Sequence, residues 1–135
     1  MGLDCSHDAF HGAYSAFDRF RRFILKSIGG SFPPHEDKTL DNNYWYWDDE
    51  FYSEKTHKGL YEFFIHSNCD GEINPEICKM IADELEAILP QIESLSKTEL
   101  VSGHIERDGG YIKITQRFIN GCRLAYKNNE PLRFG

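Results

Sequence analysis

Residues 74 to 90, NPEICKMIADELEAILP, constrain this chain more than any other stretch. Asparagine is a preferred N-cap, proline is favoured at the first helical position, and Glu76 complements the positive end of a helix. Ile77, Ile81, Leu85 and Ile88 then recur at helical spacing. They build one apolar stripe, and Pro90 is expected to end or kink the helix near Leu89. A helix so marked must bury that stripe against something, so the rest of the chain has to supply a core.

Two further stripes answer that demand. Phe17, Phe20, Ile24 and Ile28 predict a helix from about Gly12 to Ile28, closed by Gly29-Gly30, with the Pro33-Pro34 pair preventing its restart. Ile114, Phe118, Cys122 and Ala125 predict a last helix after the charged stretch 93–110. Between these lie short strand-like runs: MGLDCS at the start, GLYEFFIH at 59–66 by its aromatic content, and the tail PLRF, where Pro131 suits an edge strand. The expectation is a mostly helical α+β fold of three main helices packed on a small sheet of short strands, with all 135 residues in a single domain.

Ten Phe and seven Tyr supply the core, and a hydrophobic content of 40% argues against disorder. The formal charge of -7 makes duplex nucleic acid a poor partner, since phosphate neutralisation needs clustered Lys and Arg. No apolar run approaches a membrane span, and residues 1–12 lack the basic start and apolar centre of a signal peptide, so a cytoplasmic location is expected. Cys5, Cys69, Cys78 and Cys122 lie far apart, without the dense spacing of a disulfide scaffold, and are expected as thiols.

The polar segment HSNCDGEI, residues 66–73, follows an apolar run and precedes the helix start. As a calcium loop with Gly71 at its sixth position it has Asn68 and Asp70 in place, but His66 and Ile77 stand where the end ligands belong. As a zinc site, His66 and Cys69 would need Cys5 and His7 from the other end of the chain. As a nucleophile, Cys69 sits beside Asp70 and Glu72, whose charges oppose a thiolate. As a binding turn, His66, Ser67, Asn68, Asp70 and Glu72 offer donors and acceptors at a strand end. Against all four stands a plain turn, in which Asn68 and Asp70 bond their own backbone.

SHDAFHGAYS, residues 6–15, has a similar plan. His7, Asp8 and His11 precede Gly12 and Tyr14 at an expected helix start, where free N–H groups attract anions. Arg19 and Arg22, with Lys26, share one face of that helix and make a basic stripe able to hold phosphate, although such stripes are usually solvated faces. Tyr44, Trp45 and Trp47, within the aromatic and acidic segment 42–52, can wall a pocket. If the strands near 3–6 and 60–66 are parallel neighbours, both polar turns emerge at one edge. The expectation is then a non-catalytic binder of a small polar, nucleotide-like molecule, with no cofactor. A metal-assisted hydrolase on the same His, Cys and Asp residues, and an interaction module binding a protein through segment 42–52, are the alternatives. A homo-oligomer is compatible with either.

MGLDCSHDAFHGAYSAF, HSNCDGEI and TQRFINGCRLA together resemble a family of short uncharacterised proteins encoded by bacteria and their phages. The resemblance spans most of the chain. That family usually reads HSDCDGEI, with an acid where this chain has Asn68, which weakens a metal reading built on carboxylates. The family supplies no catalytic residue. The resemblance implies a phage origin, the host cytoplasm as location, and an anti-defence role by blocking a host protein or sequestering its nucleotide signal.

Overall fold

A computed structural model describes residues 2–30, 47, 51–66, 70–98 and 110–135. The elements run β1 (Gly2–Asp4), a single 3-10 turn (Ser6–Asp8), β2 (His11–Ala13), α1 (Tyr14–Ser27), α2 (Lys58–Ile65), β3 (Gly71–Ile73), α3 (Pro75–Ala87), α4 (Leu89–Ser96), α5 (Gly110–Lys127) and β4 (Leu132–Phe134). The α+β class holds. Among the described residues there are five α-helices and two antiparallel two-stranded ribbons, rather than three helices on one small sheet.

The three expected stripes form helices. In α3, Asn74 Oδ1 accepts from the Ile77 N–H at 2.9 Å, and Pro75 occupies the first turn. The break expected near Leu89 falls at Ile88: the chain leaves helical geometry there and restarts at once as α4, with Pro90 in its first turn. Helix α1 closes on Gly29, whose φ is +84°. The Gly30 N–H donates to Leu25 O and the Gly29 N–H to Lys26 O, the paired bonds of a glycine C-cap. Asn129, at φ +54°, plays the same part after α5, with Glu130 N–H donating to Ala125 O.

GLYEFFIH is a correction. It is helix α2, not a strand, and Gly59, Leu60, Phe63 and Phe64 form its buried face. Both ends of this eight-residue helix are held from elsewhere. The Glu84 carboxylate of α3 accepts from the N–H groups of Gly59 (3.0 Å) and Leu60 (3.1 Å). The buried Arg21 guanidinium of α1 donates to the carbonyls of Phe63 (3.3 Å), Phe64 (3.0 Å) and His66. An anion therefore meets the positive end of the dipole and a cation the negative end.

The ribbons are also unlike the expectation. β1 pairs with β2 as a local hairpin, Leu3 opposite Gly12, and β3 pairs with β4, Glu72 opposite Arg133. No parallel pairing joins the 3–6 region to 60–66. The core is aromatic at its centre. Phe17, Phe20, Phe63 and Phe118 are fully buried and meet ring to ring, with Phe10 and Phe134 closing the cluster. Each such ring contributes about 2–3 kcal/mol by leaving water. No helix among the described residues is long and apolar enough to cross a membrane.

Candidate functional site

The loop from β1 to β2 is short and tightly tied. Cys5 N–H donates to Phe10 O at 2.9 Å, closing it at the base. At its tip His7 (φ +59°) and Asp8 (φ +56°) are both left-handed, a conformation costly for side chains other than Gly and seen most in Asn, Asp and His. Two successive residues in that region persist only when their surroundings hold them there.

Helix α5 does the holding. Its Gly121 lets the loop sit directly on the helix, since a Cβ there would lie 2.6 Å from Ala9 Cα. One turn earlier, Arg117 donates Nε–H to Asp8 O at 2.8 Å and Nη2–H to Asp8 Oδ1 at 2.6 Å. His7 is tied on both ring nitrogens. Nδ1 lies 2.8 Å from Ser6 Oγ, and Nε2 lies 3.2 Å from Glu130 Oε1. With the proton on Nε2 donated to Glu130, the Ser6 hydroxyl donates to Nδ1. The Ser6 oxygen then accepts from the Arg133 N–H at 2.9 Å, so the bonds form one consistent chain. His7 in turn holds the Glu130 carboxyl below its ordinary value.

Between the tip and α5 opens a broad depression of about 460 Å³. His7 and Asp8 form one wall. Lys113, Gln116, Arg117, Asn120 and Leu124, around Gly121, form the other. Spacings of four residues put Lys113 with Arg117 and Gln116 with Asn120 on one helix face. The lining thus has two cations, two amides, one carboxylate and an imidazole, with no hydroxyl or thiol nucleophile. Its two cations and two amides are able to bind an anion-bearing polar molecule.

The second polar turn lies across β4. The His66 ring packs on Phe134, centroids 4.1 Å apart, and Gly71 (φ +101°) passes so close that a Cβ would lie 3.3 Å from His66 Nε2. Glu72 faces Arg133 at 3.7 Å, and Asp70 is exposed. His66, Glu72 and Asn74, with Lys58, Glu62 and Ile77, border a smaller depression of about 190 Å³. Its Asn74 oxygen is spent on capping α3. Strand β4 touches both turns, pairing with Glu72 on one edge and with Ser6 on the other. Even so, the two described depressions share no residue, and the single shared edge expected from parallel strands is not formed by them.

Other expected site residues scatter. His11 is exposed on the β1–β2 hairpin, 3.4 Å from Asp4. Gly12 belongs to β2, opposite Leu3, and not to the helix start. Tyr14 begins α1 and packs half-buried on the core. Arg22 is engaged by Asp18 at 2.7 Å within α1, and Arg19 is exposed there. Trp47 packs among Tyr52, Tyr61 and Phe64, over α2, and lines neither depression. Tyr44, Trp45, Ser67, Asn68 and Cys69 lie outside the described residues. So does part of the alternative zinc set. Of the rest, Cys5 is buried, with its thiol pushed up to about 12 by burial first and by Asp4 second, and His7 is committed as above. Among the described residues no three His, Cys, Asp or Glu side chains are placed to hold a metal ion.

Lys113, Gln116, Arg117 and Asn120 were not singled out by motif. Their signal is the pair of four-residue spacings on the polar face of a helix already legible from its apolar stripe. No protein-family model matches the chain. No curated protein and no solved structure matches it.

Proposed function

We propose that this protein is a non-catalytic binder of a small polar ligand, held in the cleft between the His7–Asp8 tip and the polar face of α5. The observation that carries this reading is the left-handed His7–Asp8 pair, pinned by Arg117 across a depression of about 460 Å³. Strain of that kind collects at ligand sites, and the volume falls within the range of about 300–1,000 Å³ usual for small molecules. Asn120 and Gln116 would read hydrogen-bonding edges, and Leu124 would lie under an apolar part of the ligand. A nucleotide-like host signal is the ligand class that agrees with the phage resemblance, and sequestration is then the function.

Thermal melting against nucleosides and mono-, di- and cyclic nucleotides tests this. A binder raises the melting temperature, and Asn120→Ala together with Gln116→Ala removes the rise. A flat response across the whole panel ends the reading.

A further inference from the structure

Resting on that reading, we infer that the ligand's anchoring group is a phosphate-class anion, and that the Asp8 carboxylate occupies the place of that anion in the free protein. The Arg117 guanidinium divides its contacts. Its Nε–H holds the Asp8 carbonyl, which fixes the backbone of the tip. Its Nη2–H holds the Asp8 carboxylate, which fixes only a side chain. That carboxylate is 86% exposed, and among the described residues Arg117 is its one ion-pair partner.

The guanidinium Nη2–H that a carboxylate oxygen accepts at 2.6 Å is a charged donor that a phosphate oxygen can equally accept from. Lys113, exposed and four residues earlier on the same face, adds a second cation toward the same depression. An incoming phosphate would accept from Nη2 and from the Lys113 ammonium while the Asp8 carboxylate turns into solvent. The tip would stay in place, because the Nε bond to the carbonyl and the His7 bonds do not depend on that carboxylate. Asp8 is thereby an internal competitor that rejects weak anions and sets a threshold for the ligand.

Isothermal titration of inorganic pyrophosphate into the full chain tests this. Asp8→Asn suits the left-handed backbone as well as Asp does, and it removes the competing charge. It should bind roughly three- to fivefold more tightly than wild type, the scale of an exposed charge contact. Asp8→Gly, unstrained at that φ, should agree with it. Lys113→Gln should weaken binding by a similar factor. If either Asp8 variant binds as the wild type does, or more weakly, Asp8 is no competitor, and the inference falls while the cleft survives. If none of the proteins binds pyrophosphate, the phosphate class falls. The cleft is then judged by the uncharged nucleosides of the melting panel alone.

Discussion

Glu84 and Arg21, 63 positions apart in the chain, grip opposite ends of helix α2. Neither belongs to that helix, and each supplies what its own end lacks: acceptors for free N–H groups, donors for free carbonyls. Burial pulls the Arg21 guanidinium down to about 10, which leaves it charged at neutral pH, and its central carbon lies over the Phe17 ring, 5.1 Å from the centroid. Arg21→Met keeps the apolar stem and strands the carbonyls of Phe63, Phe64 and His66. It should lose about 3 kcal/mol in urea unfolding. Arg22→Met breaks the helical ion pair with Asp18, a contact worth about 0.5 kcal/mol, and should cost less than Arg21→Met.

Glu84 gives a pH signature. Burial raises its pKa above the ordinary 4.5, and the two backbone N–H groups only partly oppose this. The folded state therefore holds the Glu84 proton more tightly than the unfolded chain does. The stability of wild type relative to Glu84→Gln should rise as pH falls toward 4.5, and that gain should be lost as pH climbs through the folded pKa. Urea unfolding of both proteins across pH 4 to 7 (a window of about three units around the carboxylate range) gives the difference directly.

Two glycines should be intolerant of a single methyl group. A Cβ on Gly59 would lie 2.5 Å from the Ile81 nitrogen and the Met80 carbonyl carbon, so α2 and α3 would have to part. Helix propensity favours Ala, but backbone atoms cannot give way. Gly59→Ala should lose about 1–3 kcal/mol by overpacking. Gly121→Ala should lose a similar amount and also lift the His7–Asp8 tip, visible as shifted amide resonances at residues 7–9.

The buried cysteines should be inert. Cys5, Cys78 and Cys122 are all buried thiols, and the Cys78 thiol beside it, then burial, holds Cys122 well above the ordinary thiol value. Peptide mass spectrometry after brief native alkylation should find these three unmodified, and fully modified in guanidinium. Native modification of Cys78 or Cys122 at the rate of a free thiol would contradict the packing of α3 on α5.

How far the sequence reached depends on whether a signal is local. The Asn74-Pro75 cap, the Gly29-Gly30 stop and the apolar stripes are local, and each marks its element. PLRF also became the expected strand. GLYEFFIH misled because aromatic content favours strands, whereas its buried positions 59, 60, 63 and 64 follow a helical face. A helix so short depends on its packing in the core and on Glu84 and Arg21 at its ends, and no neighbour rule sees these distant partners. The candidate site was half legible. His7 and Asp8 were marked by their polar turn, but Arg117 lies 109 positions from Asp8. The parallel edge failed because β1 took a local hairpin partner and residues 60–65, expected as the other strand, belong to helix α2.

The most direct test of the cleft is a two-dimensional amide NMR titration of the labelled protein with the nucleotide giving the largest melting shift. The account predicts perturbations concentrated at His7, Asp8, Gln116, Arg117, Asn120 and Gly121. Perturbations centred instead on His66, Glu72 and Asn74, with the 7–8 tip and α5 unmoved, would contradict it.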